Sequence, residues 1–529
     1  MKILVGGKWT DGFIEYFRAE NDYRIEVQAI KNLEKIEKMY FVRPKSLKLV
    51  MNYFFEVGLV HLLRKIKSRM GEKLRNEKFI SIGIGTIIDS PKKSEKKVGD
   101  YVLFIATCHP PAFERIVLPG FLLSPWTKML PFNRLDGEIK YLPVNSSSNS
   151  YWNGLQGFSA FSGCEIPSTV VEKCFEKAES DLLSSDWCQA KRLSFSKSSI
   201  LETRPASEKS QKALSESKPS GIVFGLGNYA KSFLIPNVSP FVKVKTIHEI
   251  DPTQVPIEDR TLNWDSSPFP RNKEKADAFF IASYHHTHVP IALEALECGA
   301  YAVVEKPIAV DNNQLDALLN SLQRSGPKLF SCFHKRYQHF NKMIVEDFGN
   351  PGRPISFHCI VFEVPLPQLH WYWWPNSKSR LVSNGCHWID YFLFLNGFSK
   401  PIFHDLFIGK DGTINASAEL ENGAVFSMLL TDRGSQRIGL RDYIELRSFE
   451  KTAMIRDGGE YIAEDGFKVI RRAKVNKLSS YENMYAQIAE KIAKGMPGDS
   501  VESLKVSAGL ILEFEKDYVN HSKRIMANS

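Results

Sequence analysis

The stretch Arg380-Leu-Val-Ser-Asn-Gly-Cys-His-Trp-Ile-Asp390 sets a histidine and an aspartate three residues apart. On a helix, His387 and Asp390 share a face one turn apart. An imidazole beside a carboxylate can take up and release a proton near neutral pH. The apolar neighbours Phe392, Leu393 and Leu395 fit equally well a buried helix whose two polar residues only satisfy each other. A second proton carrier is Lys306, in Glu305-Lys306-Pro307. Beside a positively charged ring and out of water, its pKa is expected to fall, so that it could exchange a proton with a hydroxyl. The tripeptide also fits a plain loop lysine ahead of a turn proline. Ser283-Tyr284-His285-His286-Thr287-His288 offers three histidines. No carboxylate or cysteine stands at ligand spacing, so no metal is expected; Thr287 reads as a helix cap and the loop as a pocket lining.

These groups need a scaffold, and the sequence around them supplies one. Gly225-Leu-Gly227-Asn228-Tyr229-Ala230 follows a short apolar strand at 220–224. In such a GxGxxA turn the first glycine permits the tight bend. The second lets backbone approach a pyrophosphate at a helix N-terminus, and the small third residue permits close packing. A second strand at 242–247 leads to Glu249, at the distance expected of an acid that binds ribose hydroxyls. A carboxylate there would repel a 2′-phosphate, so NAD is expected rather than NADP. A strand at 277–282, a helix at 289–298 and a strand at 300–304 continue the pattern, and Lys306 falls at a strand's carboxyl end. Ligands bind at that edge of a doubly wound sheet. After about residue 345 the texture changes to an open antiparallel sheet, with strands at 355–364, 405–414, 416–421, 424–431 and 443–455, and helices at 479–494 and 501–520.

The chain of 529 residues divides by texture into an aromatic-rich part at 1–192, a Ser/Lys/Glu-rich linker at 193–219, a parallel α/β domain at 220–345 and an α+β domain at 346–529. The formal net charge of +9 is spread along the chain without a Lys/Arg block, so no nucleic-acid partner is expected. The apolar run 49–63 is short and interrupted by Glu56, so no membrane span is expected. The eight cysteines include no CxxC and suit a reducing compartment. With no secretory signal in the first residues, a cytoplasmic protein is expected.

Taken together, GLGNYA, the acid after the second strand, the run DAFFIASYHHTHVPIALEALECGAYAVVEKPIAV and GCHWID resemble the Gfo/Idh/MocA oxidoreductases over about 219–525. The resemblance implies a Rossmann domain followed by an α+β domain with an open sheet. It also implies NAD(P) as cofactor and oxidation or reduction of a secondary hydroxyl on a sugar, sugar nucleotide or polyol. Lys306 and His387 would be catalytic. Gly225, Gly227, Asn228, Tyr229, Ala230, Glu249, Ser283, Tyr284, His286, His288 and Glu305 would surround the cofactor. Arg336, Trp374, Arg380, Ser383 and His387 would face the substrate, with Lys378 and Arg380 able to hold a phosphate. Pairing of open sheets would give a homodimer or homotetramer. Where relatives often carry an aspartate one turn before the histidine, this chain has Ser383. The stretches 43–58, 99–104 and 109–117 resemble a degenerate GroES-like domain, which implies that 1–192 is β-rich and points to the bi-domain branch associated with surface-polysaccharide loci. Two alternatives share these residues. One is an NAD-dependent glycosidase, epimerase or lyase using transient oxidation; the other is a non-catalytic homologue, NAD-binding or a scaffold.

Overall fold

A computed structural model describes residues 2–5, 8–11, 22–36, 62–63, 78–91, 94–109, 112–129, 138–143, 168–194, 218–251, 254, 263–271, 274–349, 353–366, 371–434 and 441–527. The GroES-like stretch 43–58, most of the apolar run 49–63 and linker positions 195–217 lie outside the described residues.

The glycine-rich turn and Lys306 both stand on a six-stranded parallel sheet. Its order is Asn263–Asp265, Lys243–His248, Ser220–Phe224, Ala278–Ile281, Tyr301–Val304, Leu329–Ser331. The chain winds outward in both directions from Ser220–Phe224, and this reversal opens a crevice at the carboxyl ends of the strands. Ser220–Phe224 and Ala278–Ile281 are buried along their whole length, as parallel strands covered on both faces must be. Helices His288–Glu297 and Asn312–Ser325 cover one face; Asp311 caps the second by accepting from the Gln314 N–H at 2.9 Å. The strands Asn263–Asp265 and Leu329–Ser331 and the helices Asn312–Ser325 and Phe340–Phe348 add to the expected set.

The second sheet has eight strands, in the order Pro401–Ile408, Ile414–Leu420, Val425–Thr431, Ser356–Phe362, Arg441–Ser448, Lys451–Arg456, Glu460–Asp465, Lys468–Lys474. It corrects the sequence reading in three ways. The expected strand 405–414 is broken by a turn in which the Gly409 and Thr413 backbones close on each other. The expected strand 443–455 is a hairpin turning at Phe449, whose φ is +53°. The sheet is also not wholly antiparallel, since Ser356–Phe362 runs parallel to Val425–Thr431. Helices Cys386–Leu395 and Val501–Ala527 pack on one face. Ile360, Phe407 and Tyr443 stand exposed on the other, beside a groove of about 790 Å³.

One apolar cluster runs from Ile222 and Phe224 through Phe333 and Trp388 to Phe426 and Phe514, so the two sheets share a core. Helix Ser479–Ala493, expected with the second domain, instead packs Met484, Tyr485 and Ile488 against Leu226, Ala230 and Leu234 of the first. The end of the chain thereby fixes the turn that opens the dinucleotide site.

The N-terminal part is β-rich, as expected. A seven-stranded sheet is built around Asp22–Ile36 and Lys78–Asp89, with helix Ser168–Leu183 packed on it. Its own core includes Ile25, Phe104 and Trp187. Strand Lys191–Ser194 pairs with Glu138–Leu142, which corrects the expected linker start at 193.

Candidate functional site

The two conspicuous glycines differ in what they do. Gly225 has φ +91°, and a Cβ there would sit 2.5 Å from the Ala282 carbonyl oxygen. Only glycine lets the turn approach the neighbouring strand. At Gly227 an added Cβ meets nothing within 4 Å. The helix that starts beyond it contains a π-helical turn, Ala230–Leu234. Room above a helix N-terminus is what a pyrophosphate requires, so the turn fits a dinucleotide. Gly227→Val is therefore expected to leave the thermal midpoint nearly unchanged and to weaken NAD binding by about tenfold or more, read by calorimetry. Gly225→Val should lose the fold of the domain along with binding.

Glu249 closes the turn from the other side. Its Oε2 accepts from the Leu226 N–H at 2.6 Å and its Oε1 from the Asp251 N–H at 2.8 Å. Burial and the nearby Asp251 nonetheless raise its pKa to about 7, against the pull of those two bonds and of Lys231. A raised carboxyl pKa means that the folded chain holds this proton more tightly than the unfolded one. The contribution to stability is complete below about pH 4.5 and is lost as pH rises through about 7. Ribose hydroxyls donating to the carboxylate would favour its anion. NAD binding should therefore release up to one proton near pH 6.5 and none above about pH 8.5. Calorimetry in two buffers of different ionisation enthalpy reads this directly; equal heats at pH 6.5 would remove Glu249 from the ribose site.

Tyr229 is turned toward Glu305. Its hydroxyl donates to Oε1 at 2.9 Å, and Tyr485 donates to the same oxygen from helix Ser479–Ala493. Burial raises the Glu305 pKa, while Tyr485, Lys306 and Tyr229 pull it back. Beside it, the Lys306 ammonium donates to the Ser383 carbonyl at 2.7 Å and to the Tyr372 hydroxyl at 3.3 Å. It also lies 5.6 Å from the centre of the Tyr372 ring. Burial disfavours its charge, but Tyr372, Cys386 and Glu305 outweigh burial and hold the pKa above the usual lysine value. For the chain by itself, the ammonium is therefore the resting form; the expected lowering is that of a lysine beside the cofactor's positively charged ring. Ser383 lies in a π-helical turn, Leu381–Gly385, ahead of helix Cys386–Leu395. Such turns recur at functional sites, and this one presents the carbonyl to Lys306.

His387 is 6% exposed, and its Nδ1 has no hydrogen-bond partner among the described residues. Its ring meets His334 edge-on at 4.8 Å. Burial, then His334, Lys306 and Lys335, drive its pKa well below the usual histidine range, so the imidazole is neutral. The expected pairing with Asp390 is corrected. Asp390 accepts from Arg336 Nε at 2.9 Å and Nη2 at 2.5 Å, and from Ser507 Oγ at 2.6 Å. Arg336 also reaches Asp499 at 3.2 Å. Its guanidinium is thus committed to two carboxylates rather than offered to a substrate. Arg380 is likewise engaged, by the Gly412 carbonyl at 2.8 Å, Glu363 at 3.4 Å and Asp432 at 3.5 Å. This weighs against the expected phosphate contact.

In the histidine loop, His288 has Pro307 O at 2.8 Å from one ring nitrogen and Ser283 O at 3.2 Å from the other, tying the loop to the strand end that carries Lys306. Burial lowers its pKa to about 4. Burial, followed by the charge of His288, also lowers His286 to about 4. Thr287 does not cap the helix with its side chain; its hydroxyl donates to Tyr284 O at 2.7 Å and meets Ser283 Oγ at 2.7 Å. The Tyr284 ring packs on Trp374 at 5.0 Å, and the His285 ring on Tyr372 at 5.1 Å. No cluster of metal-ligating side chains occurs among the described residues, and no described helix is long and apolar enough to cross a membrane. Of the six free cysteines among the described residues, Cys174, Cys332, Cys359 and Cys386 are buried, and Cys188 and Cys298 are exposed.

Sequence reasoning missed Tyr372, Glu363, His334 and Tyr485. An acid just past a strand end and an aromatic run were visible signals for the first two. Nothing local marks the others.

Residues 222–333 match a family model described as oxidoreductase family, NAD-binding Rossmann fold, of the Gfo/Idh/MocA type. A curated relative from Escherichia coli (strain K12), the uncharacterised oxidoreductase YdgJ, is 34% identical over 120 residues, which are 22% of this chain and 34% of the relative. The chain thus aligns with about a third of that relative's length. Among solved structures, a dehydrogenase from Chromobacterium violaceum is similar at 16% identity and TM-score 0.49, covering 59% of this chain and 99% of its own. An inositol dehydrogenase homologue from Azotobacter vinelandii, solved with NADH and myo-inositol, is similar at 13% identity and TM-score 0.48, covering 58% of this chain and 96% of its own. The match over residues 222–333 falls on the parallel-sheet domain and supports NAD as its cofactor.

Proposed function

We propose that, on this NAD-binding oxidoreductase domain, the chain exchanges a hydride between nicotinamide and a carbon bearing a secondary hydroxyl on a sugar, sugar nucleotide or polyol. The observation that carries the reading is that Lys306 is held by the Ser383 carbonyl, one turn before His387, near enough for its charge to help keep the imidazole neutral. Bound NAD supplies the hydride acceptor or donor. Gly225, Gly227 and Glu249 hold its phosphate and adenosine-ribose end, and Glu305, steadied by Tyr229 and Tyr485, stands toward the nicotinamide end. The Glu249 carboxylate disfavours a 2′-phosphate, which supports NAD over NADP.

The chain's own residues divide the proton work. The Lys306 ammonium stabilises negative charge as it develops on the substrate oxygen. His387, neutral and with Nδ1 free, accepts the hydroxyl proton in oxidation and returns it in reduction. The neighbouring Lys306, Lys335 and His334 make a lasting imidazolium costly, so His387 passes the proton on rather than storing it. NADH fluorescence from purified protein given NAD and a panel of sugars and polyols tests the reading, with calorimetry for dinucleotide binding. A chain that binds no dinucleotide would be a scaffold, not an oxidoreductase.

A second copy is the proposed occupant of the uncovered sheet face, supported by Ile360, Phe407 and Tyr443, which are 53%, 57% and 43% exposed. Phe407→Glu is then expected to halve the sedimenting mass, and an unchanged mass would place the contact elsewhere.

A further inference from the structure

We propose that Glu363 is the substrate-hydroxyl acceptor of this site, and that the substrate group it holds is an uncharged diol rather than a phosphate or carboxylate. The proposal rests on the sugar or polyol reading above and narrows its substrate class.

Glu363 follows strand Ser356–Phe362 and is anchored by its own N–H, which donates to the Thr431 carbonyl at 2.8 Å. Its side chain is 5% exposed. Oε1 accepts from Asn384 Nδ2 at 2.6 Å. Oε2 has no hydrogen-bond donor among the described residues. Arg380 Nε lies 3.4 Å from it, close enough to attract but not aligned to donate. An unsatisfied buried acceptor costs about 1–3 kcal/mol, more when charged, and a donor arriving with a ligand recovers that cost. The carboxylate stands beside the proton-handling groups: Asn384 follows Ser383, whose carbonyl takes the Lys306 ammonium, and the charge of Lys306 reaches Glu363 itself.

Hydrogen-bonding capacity then selects the ligand. Arg380 is the cation in contact with Glu363, and it is shared with Asp432 at 3.5 Å and with the Gly412 carbonyl. Arg433 also lies 3.7 Å from Asp432, so the two carboxylates are balanced by cations. The open Oε2 can only accept; a phosphate or carboxylate oxygen has no hydrogen to give it and meets an arginine already occupied. A hydroxyl of a neutral ring can donate to Oε2, and its neighbour can meet Asn384, which is only half-buried.

The test uses full-length protein with NAD, and D-glucose and myo-inositol as neutral probes against glucose 6-phosphate and glucuronate as charged ones. The expected result is NADH formation from a neutral probe, with kcat/KM at least about tenfold above the best charged probe. Glu363→Gln, matched to wild type in thermal midpoint, should raise KM for that probe about tenfold while lowering kcat less. A preference for the charged probes, or an unchanged KM in Glu363→Gln, overturns the proposal and leaves the oxidoreductase reading standing. NAD binding without NADH from any of the four probes counts against the substrate class. Failure to bind NAD sinks the oxidoreductase reading, and this proposal with it.

Discussion

Lys306→Met is expected to lower turnover by a factor of about 10²–10⁴ while leaving NAD affinity within a few-fold of wild type. Methionine keeps most of the buried stem and removes the ammonium. The two groups that accept from Lys306 are a carbonyl, of Ser383, and a hydroxyl, of Tyr372, so no bare charge remains where they stood. Glu305 keeps its bonds from Tyr229 and Tyr485. The fold should therefore survive, and the loss should fall on kcat, where an interaction that strengthens as charge develops is felt. The pH dependence follows from the direction of the shift. With its pKa above the ordinary lysine value, Lys306 stays charged across the neutral range in the free protein. With its pKa well below the ordinary histidine range, His387 stays neutral there. Neither group then titrates between about pH 7 and 9, and kcat/KM for a neutral substrate, measured with NAD saturating so that Glu249 does not contribute, should be flat across that window. Full turnover in Lys306→Met would remove the lysine from the chemistry.

Asp390→Ala is expected to cost about 3–5 kcal/mol of stability, the usual consequence of stranding one member of a buried ion pair. Asp390 is wholly buried and takes two bonds from Arg336, which is itself 7% exposed. Among the described residues, Asp499, at 3.2 Å, is the carboxylate that Arg336 would keep. The double change Arg336→Met with Asp390→Leu should cost less than Asp390→Ala, because the carboxylate it leaves without a guanidinium, Asp499, is partly exposed and keeps its bond from the Ser331 N–H. Denaturant midpoints measure both. The same experiment decides what Asp390 does for His387. Since the carboxylate is spent on Arg336 and Ser507, Asp390→Asn should lower stability and leave the shape of the pH–rate profile unmoved. A profile that shifts would mean that the aspartate acts on the histidine after all.

The errors in reading the second sheet have a physical origin. At 443–455 buried and exposed side chains alternate along both arms and the pattern lapses only at 449–452, and the turn residue Phe449 is not one that turn chemistry flags. At 405–414 two glycines were present, yet the apolar residues on either side suggested one strand. The helix Ser479–Ala493 was recognised from its period, but a period does not say which sheet a helix will cover.

By itself the sequence determined what is local. These features are the strand–glycine turn–helix at 220–230, the acid that follows the next strand, the lysine at a strand end, and the apolar helix that carries His387. Each is written in consecutive residues whose backbone preferences agree. Only the tertiary structure decided the partners. Asp390 belongs to Arg336, 54 residues away, Glu305 to Tyr485, 180 away, and Lys306 to the Ser383 carbonyl, 77 away. Glu363 is left with an oxygen that has no donor among the described residues. Hydrogen bonds and ion pairs act over a few ångströms, and no spacing in the sequence records which distant segments a shared core will bring within that range.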